Sequence, residues 1–228
     1  MRKLYFICFF SILLPYSLTA APYTPQQLPA TRIIEDFNNE PVNKFPSDFR
    51  TYPFQRDKAD QVYAVQSEDG NSYLKALDDK DFSVQILRRF AWESTRWSYF
   101  SWRWRAKILP KGAAENDRAT NDCACGIYVV FGGYDGNVIK YTWSSTLPTG
   151  TIVEKKPGQS YSVILESGPK NLGVWKIESV NVMDDYRRLF KTNPTKNPSG
   201  FGILTDGNAT HTPSACDYDD FRISENPF

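Results

Sequence analysis

The sequence has 228 residues, with 27 basic and 26 acidic side chains and a formal net charge of +1. A charge this close to zero gives no electrostatic reason to expect nucleic acid or an anionic membrane surface as a partner. Aromatic residues make up 15% of the chain, and together with 13 glycines and 15 prolines they favour β-strands joined by tight turns.

The first twenty residues have the layout of a secretory signal peptide. Arg2 and Lys3 precede an almost wholly apolar run at residues 4–14, and small residues follow up to Ala20. The run is short for a membrane span, and no second long apolar run follows it. We therefore expect cleavage after Ala20, and an uncleaved membrane anchor is the alternative. Removal of residues 1–20 from the 228 leaves a mature chain of 208 residues without a membrane span, exported to the periplasm or the extracellular space.

Residues 21–31, rich in proline and glutamine, are expected to form a loose leader, and residues 32–228 a single domain. Short β segments separated by turn-forming residues follow one another along this domain. The predicted strands are residues 32–37, 61–66, 72–76, 82–90, 100–110, 126–131, 138–143, 161–166, 173–182, 202–205 and 220–224. Only residues 183–190, MDDYRRLF, favour a helix, because two aspartates lie at its positive end. The pattern predicts an all-β fold, a jelly-roll type β-sandwich with one short helix.

Residues 100–110, FSWRWRAKILP, give the strongest strand signal. Alternation puts an apolar set on one face (Phe100, Trp102, Trp104, Ala106, Ile108) and a polar set on the other (Ser101, Arg103, Arg105, Lys107). We expect the aromatic face to lie in the core, because an indole buries ~150–250 Å². The two arginines of the other face must be paired or bound to a ligand, since burying them alone is costly. Glu166 is expected to neutralise one of them.

The mature chain keeps three cysteines, Cys123, Cys125 and Cys216. Export makes a disulfide chemically possible. Cys123 and Cys125 share a strand face and are poorly placed to bond each other, so we expect Cys216 to pair with one of them. Three buried thiols are the alternative. A zinc site lacks ligands, because His211 is the only histidine.

The segments FSWRWRAKILP, NDCACGIYVVF, LESG with GVW, VMDDYRRLF, and ILTDGNAT with DYDDF follow one another along almost all of the mature chain. In this order they resemble the domain-of-unknown-function family numbered 3047, which consists of secreted bacterial proteins. The resemblance implies no particular activity. Cys125 stands where the family pattern implies a small or apolar residue.

A looser resemblance concerns the two ends of the domain. Glu35-Asp36-Phe37 near the start and Tyr218-Asp219-Asp220-Phe221 near the end are similar to the end strands of galactose-binding-like and carbohydrate-binding jelly rolls. The resemblance implies that these strands pair, in some members around a structural calcium. Calcium would then be held by Glu35, Asp36, Asp219 and Asp220. A second candidate is Asp206-Gly207-Asn208, because two side-chain oxygens around a glycine suit a hard cation. The competing interpretation is that these residues form turns or face solvent.

Two groups of acidic side chains are candidates for catalysis. A glycosidase needs two carboxyl groups roughly 5–9.5 Å apart, and Glu115 with Asp117 resembles a fragment of the acidic strand motif of sandwich glucanases. The third acid of that motif is missing, since Thr120 stands in its place, and the pair lies in a polar loop. Glu166 interrupts an apolar strand and is the other candidate, although a salt bridge to one of the two arginines explains it as well.

Sugar binding is the function that the residues favour. Sugars present flat apolar faces and many hydroxyls, so their sites combine exposed aromatic rings with planar polar groups. The candidate ligand-binding residues are Tyr99, Arg103, Arg105, Tyr141, Trp143, Glu166 and Trp175. Each ring taken singly also fits the core, which is the competing interpretation. We predict an exported, non-catalytic binding module for carbohydrate or another cell-envelope ligand. The alternatives are a glycan-active hydrolase using Glu115, Asp117 or Glu166, and a structural envelope protein without a ligand.

Overall fold

Two β-sheets pack face to face as a β-sandwich of the jelly-roll type, which confirms the predicted fold class. The computed structural model describes residues 31–133 and 135–228. The predicted signal peptide, and the leader apart from Thr31, lie outside the described residues. Among the described residues, no helix has the length and apolar character needed to cross a membrane.

Thirteen strands and two α-helices follow one another along the described part of the chain. The strands are β1 (Thr31–Glu35), β2 (Phe49–Thr51), β3 (Tyr63–Glu68), β4 (Asn71–Asp78), β5 (Ile86–Arg89), β6 (Tyr99–Ile108), β7 (Cys123–Phe131), β8 (Asn137–Ser144), β9 (Ile152–Lys156), β10 (Ser160–Ser167), β11 (Lys176–Asn181), β12 (Pro198–Asp206) and β13 (Ser214–Ser224). The helices are α1 (Arg56–Val62) and α2 (Val182–Phe190), and a 3₁₀ turn covers Arg118–Thr120.

The six-stranded sheet has the order β11-β6-β13-β4-β3, with β1 also paired to β13. The seven-stranded sheet has the order β2-β5-β12-β7-β8-β10-β9. The β10–β8 pair is parallel, and the other pairs among the described strands are antiparallel. The first and last strands pair as expected, with Glu35 opposite Phe221.

The aromatic face of β6 fills the space between the sheets, as the alternation predicts. Trp102 is 1% exposed and Trp104 is 0% exposed. The ring of Trp104 lies 5.4 Å from that of Trp102 and 6.1 Å from that of Trp143 on the opposite sheet. Ile108 departs from the prediction, since it is 41% exposed at the point where β6 leaves the core.

The predicted helix begins one residue early, at Val182, and its N-terminus is capped by Asn181. The side chain of Asn181 accepts hydrogen bonds from the backbone N–H groups of Met183 and Asp184, which satisfies donors that the first turn leaves free. Lys191 ends the helix in the left-handed conformation, with φ of 58°. The helix buries its apolar side, which carries Val182, Met183, Tyr186 and Leu189.

A second helix, α1, stands where the sequence pattern suggested the start of a strand at residue 61. Its residues are mostly charged, and Arg56 pairs with Asp60 one turn later at 2.6 Å. Alternation of apolar residues begins only at Tyr63, and β3 begins there. The charged residues of this segment therefore favour a helix, although the short apolar alternation predicts that the strand begins at residue 61.

A disulfide joins Cys125 of β7 to Cys216 of β13 and so links the two sheets through the core. The expectation that Cys216 pairs with one of the two neighbouring cysteines is confirmed. Cys123 is a free and buried thiol. A register shift near Asp206 puts an extra residue into β7, so Cys123 and Cys125 lie on opposite faces rather than on one face.

We expect Trp104→Ala to lower the free energy of unfolding by about 3–5 kcal/mol, because the change leaves a large cavity between the sheets. Urea unfolding followed by fluorescence measures this loss. Ile177→Ala on the neighbouring strand β11 is the matched control, since Ile177 is 65% exposed. Equal stability of the two variants would contradict the assigned orientation of β6.

Candidate functional site

Arg103 and Arg105 lie on the outer face of the six-stranded sheet and are bound to acidic side chains of β13. Arg103 pairs with Asp219 and with Asp220, and Arg105 pairs with Asp217 at 2.8 Å. These partners follow from the register of β13 against β6, which places Asp217 and Asp219 opposite the two arginines. The predicted partner Glu166 is therefore wrong.

The ring of Trp175 covers both arginines. Its centre lies 4.8 Å from the guanidinium carbon of Arg103 and 4.6 Å from that of Arg105, and Tyr73 meets its edge at 5.7 Å. Arg105 is only 8% exposed. This cluster satisfies its own charges, so it stabilises the sheet face rather than leaving the two guanidinium groups free. Tyr99 lies on the same face at the far end of β6, where it pairs with Ser224.

Tyr141 and Trp143 are core residues, and the expected outward ring platform is wrong for both. Each is 0% exposed. The hydroxyl of Tyr141 donates to Asp185 at 2.8 Å, and the indole N–H of Trp143 donates to the backbone oxygen of Gly168 at 3.2 Å. Their polar atoms are thus satisfied inside the protein, as buried aromatic side chains require.

Glu115 and Asp117 do not share a cleft. Glu115 is fully buried, its Oε2 accepts a hydrogen bond from Ser144 Oγ at 2.6 Å, and burial raises the pKa of its carboxyl. Asp117 is exposed and caps the 3₁₀ turn by accepting from the N–H of Ala119. One carboxyl is enclosed and the other faces solvent, unlike the pair that a glycosidase places across one scissile bond.

Glu166 lies at the open edge between the sheets, where Lys176 contacts it at 3.4 Å. Glu178 belongs to the same cluster and accepts a hydrogen bond from Trp104 Nε1 at 3.1 Å. Burial, reinforced by the negative charge of Glu166, raises the pKa of Glu178 to about 7. The protonation of Glu178 therefore changes near neutral pH.

The acids of the first and last strands do not converge, although the strands pair. Glu35 contacts Arg88 at 3.2 Å, and Asp36 accepts from a backbone N–H in its own turn. Asp219 and Asp220 pair with arginine as described above. Asp36 forms a turn, as the competing interpretation expects, whereas Glu35, Asp219 and Asp220 are paired with arginine rather than facing solvent.

Asp206 is held by protein donors. Its Oδ1 accepts from the backbone N–H of Cys123 at 3.2 Å and its Oδ2 from Ser83 Oγ at 3.1 Å, while burial raises its pKa to about 6. Asn208 is half-buried nearby in the chain. Within residues 31–133 and 135–228, no three His, Cys, Asp or Glu side chains form a group that could hold a metal ion. Calcium at either place stays a prediction.

A groove of about 740 Å³ lies on the outer face of the seven-stranded sheet. Its floor is apolar and comes from Leu87, Tyr128, Val130 and Val138 on three strands. Its walls carry polar and aromatic groups, namely Arg50, Tyr52, Gln85 and Arg89. The volume is within the ~300–1,000 Å³ that is usual for small-ligand sites.

Gly200 of β12 lies in the lining of the groove, next to Phe201, which is buried in the core. A Cβ at Gly200 would lie 2.3 Å from the backbone oxygen of Arg88 on β5. A side chain at this position would push β12 away from β5, so the close approach of the two strands requires glycine.

Polar groups line the same sheet face beyond the groove floor. Lys140 lies opposite Tyr128 on β7 and opposite Ser162 on β10, and its Nζ is 5.1 Å from the centre of the Tyr128 ring. Within the described part of the chain, Ser162 Oγ and Thr142 Oγ1 are buried without a hydrogen-bond partner. Burial raises the pKa of Tyr128 to about 12, so its hydroxyl stays protonated and can donate a hydrogen bond.

None of the groove residues is among the predicted site residues. A local signal exists for part of the set, because Tyr128 and Val130 of β7 alternate with Ile127 and Val129, which are buried in the core. This alternation places Tyr128 and Val130 on the outer face of the sheet. The contribution of Arg50 has no comparable signal, since it depends on the short strand β2 joining the sheet edge.

We expect Arg105→Met to destabilise the fold by about 3–5 kcal/mol at neutral pH, because Asp217 is left buried and unpaired. Burial already raises the pKa of Asp217, and loss of Arg105 raises it further. The folded variant then binds a proton more tightly than the unfolded chain, so the deficit shrinks as the pH falls. Urea unfolding at several pH values measures it.

Two further variants serve as controls for that experiment. Arg118→Met changes an exposed arginine and should leave stability unchanged. Asp217→Asn added to Arg105→Met should recover part of the loss, since no charge remains buried. A loss that is independent of pH and unaffected by the second change would contradict the paired-charge explanation.

Glu178→Gln should make the fold less sensitive to pH. The pKa of Glu178 is raised to about 7 in the folded protein, so the parent loses stability as the pH rises from the unfolded-state pKa through this value. Glutamine keeps the acceptor for Trp104 and cannot ionise. We expect the variant to gain roughly 1–3 kcal/mol relative to the parent between about pH 5 and about pH 8. Parallel stability curves would show that Glu178 ionises freely in the folded protein.

Several solved structures are similar to this chain. The family 11 carbohydrate-binding module of cellulase Lic26A-Cel5E of Clostridium thermocellum is 9% identical, with 85% of this chain and 94% of that chain covered and a TM-score of 0.39. CBM29_1, a family 29 carbohydrate-binding module from Piromyces equi, is 11% identical, with 87% and 92% covered and a TM-score of 0.37. Endoglucanase 3 of Trichoderma harzianum, from family GH12, is 10% identical, with 90% and 100% covered and a TM-score of 0.43. Similarities of this size carry no ligand or activity over to this chain.

No curated protein sequence matches this chain. One protein family, described as "Protein of unknown function (DUF3047)", matches residues 47–222 of this chain. The match spans most of the 228 residues and includes every strand from β2 to β12. The chain therefore belongs to the DUF3047 family.

Proposed function

We propose that this chain is a non-catalytic binding module that holds a carbohydrate in the groove of the seven-stranded sheet. The observation that carries the proposal is the composition of the groove. A floor with the Tyr128 ring and aliphatic side chains faces walls that carry guanidinium, amide and phenol groups. Apolar sugar faces pack on such a floor, and planar polar groups at its sides pair with hydroxyls.

Binding without hydrolysis is supported by the charges of the groove. Its described lining residues include arginines, a glutamine and serines but neither aspartate nor glutamate. A typical glycosidase needs two carboxyl groups flanking the bond that it breaks. The acids considered for catalysis, Glu115, Asp117 and Glu166, are enclosed, exposed or ion-paired outside this groove, as described above.

Export is part of the proposal. The disulfide between Cys125 and Cys216 is of the kind that forms in the periplasm or outside the cell. The basic and apolar pattern of residues 1–20 supports the same location. A glycan of the cell envelope or its surroundings is then the accessible class of ligand.

The test is glycan-array screening of the exported protein, followed by calorimetry with the strongest hit. Tyr52→Ala should weaken binding roughly three- to tenfold, because it removes a ring from the groove wall. Phe54→Ala is the matched control, since Phe54 is two residues away, fully exposed and outside the groove.

Both variants change exposed side chains, so we expect unfolding midpoints equal to the parent's. Weaker binding by Tyr52→Ala alone supports the groove as the site. Equal binding by the parent and Tyr52→Ala would place the ligand elsewhere. Failure of every glycan to bind would favour the structural envelope protein, and release of shortened glycans would favour the hydrolase.

A further inference from the structure

Two arginines of the groove lack acidic partners. The described arginines with an ion pair are Arg56, Arg88, Arg96, Arg103, Arg105, Arg187, Arg188 and Arg222. Arg50 and Arg89 are not among them, and both line the groove. Arg50 donates to the backbone oxygens of Ser47 and Phe49 from one nitrogen only. The guanidinium of Arg89 has no partner among the described residues.

The register of β2 and β5 brings these two arginines to one place. Arg50 lies opposite Leu87, and Arg89 follows Leu87 by two residues on the same face. Such diagonal neighbours on antiparallel strands are ~7–8 Å apart at their Cα atoms, within reach of long side chains. Two guanidinium groups can therefore meet a single bound anion at this wall.

The acids near this wall are used elsewhere. Asp48 and Glu35 both pair with Arg88, a third arginine that lines the groove, and so neutralise it. The carboxyl groups of the six-stranded sheet pair with its own arginines. The arginine pair of the groove thus keeps its positive charge unneutralised by the described residues.

We propose that the groove selects an acidic glycan and that Arg50 and Arg89 together bind its anionic group. This inference rests on the proposed function and adds the ligand class. Guanidinium groups bind carboxylate and sulfate through paired, charge-assisted hydrogen bonds, with better geometry than they achieve with hydroxyls. The anion also relieves the repulsion between the two neighbouring cations. Polyuronate and sulfated glycan share this chemistry.

The test compares charged and neutral forms of the same polymer by calorimetry on the exported protein. The probes are oligogalacturonate and alginate oligomers, each with its carboxyl-reduced neutral counterpart, and dextran sulfate with dextran. We expect at least one acidic probe to bind about tenfold or more tightly than its neutral counterpart. Added salt should weaken the acidic probe and leave a neutral one unaffected. The uronate and sulfate arms identify the anionic group.

Arg89→Gln and Arg50→Gln should each weaken the acidic probe about tenfold or more and weaken the neutral counterpart by a much smaller factor. Arg118→Gln is the control, since Arg118 is exposed and outside the groove. The groove arginines form no ion pair in the fold, so unfolding midpoints should match the parent's. A variant with lowered stability is replaced by the Lys substitution at the same position, which keeps the charge and should lose only the bidentate part of the affinity.

Two outcomes overturn the inference while leaving the proposed function intact. One is a neutral glycan that binds in the groove as tightly as any acidic probe. The other is equal weakening of acidic and neutral probes by Arg89→Gln, which would mean that the arginine binds hydroxyls. If none of the probes and no array glycan binds, the inference and the proposed function fail together.

Discussion

The packing of the β6 tryptophans against the seven-stranded sheet sets the orientation of the rest of the sandwich. Trp102 and Trp104 contact each other and also contact rings of the opposite sheet, so their side chains fill the space between the two sheets. A slip of one residue would exchange the two faces of β6 and bring its arginines into the core. The cost of burying an unpaired charge excludes that alternative. The register of β13 and β11, which flank β6, follows from this choice.

The two outer faces of the sandwich differ in how their charges are balanced. On the six-stranded sheet, each arginine of β6 is opposite an aspartate of β13 and under the ring of Trp175. On the seven-stranded sheet, the groove has arginines on β2 and β5 without acids opposite them. The arginines of the six-stranded sheet are already paired, so they are not free to bind a charged ligand. The outer face of the seven-stranded sheet has both a groove and arginines without acidic partners.

Local pattern was enough to predict the strand class, the buried face of β6 and the α2 helix, because each depends on neighbours within a few residues. It was not enough to identify the partners of Arg103 and Arg105. The aspartates that bind them lie more than a hundred residues away and are reached only through strand order. The same limit applies to Tyr141 and Trp143. Alternation divides a strand into two faces, but it does not show which face is buried until the positions of the two sheets are known.

The groove shows this limit most clearly. Gly200 is visible in the sequence, but its place in the groove depends on β5 and β7 lying on either side of β12. The short strand β2 contributes Arg50 only because it pairs with β5 at the edge of the sheet. A groove lined by residues of six strands has no compact sequence motif, so the sequence pattern predicts a candidate site at the strong single-strand signal of β6 instead.

The extra residue near the start of β7 has a consequence for the redox chemistry of the protein. It turns Cys123 toward the outer face while Cys125 reaches through the core to Cys216. Burial raises the pKa of the Cys123 thiol well above its ordinary value, so the nucleophilic thiolate is scarcely formed. Two cysteines that are near neighbours in sequence can therefore compete for Cys216 only before the sheets close. In the folded chain, the protonated Cys123 thiol faces away from the disulfide, which disfavours exchange between the two.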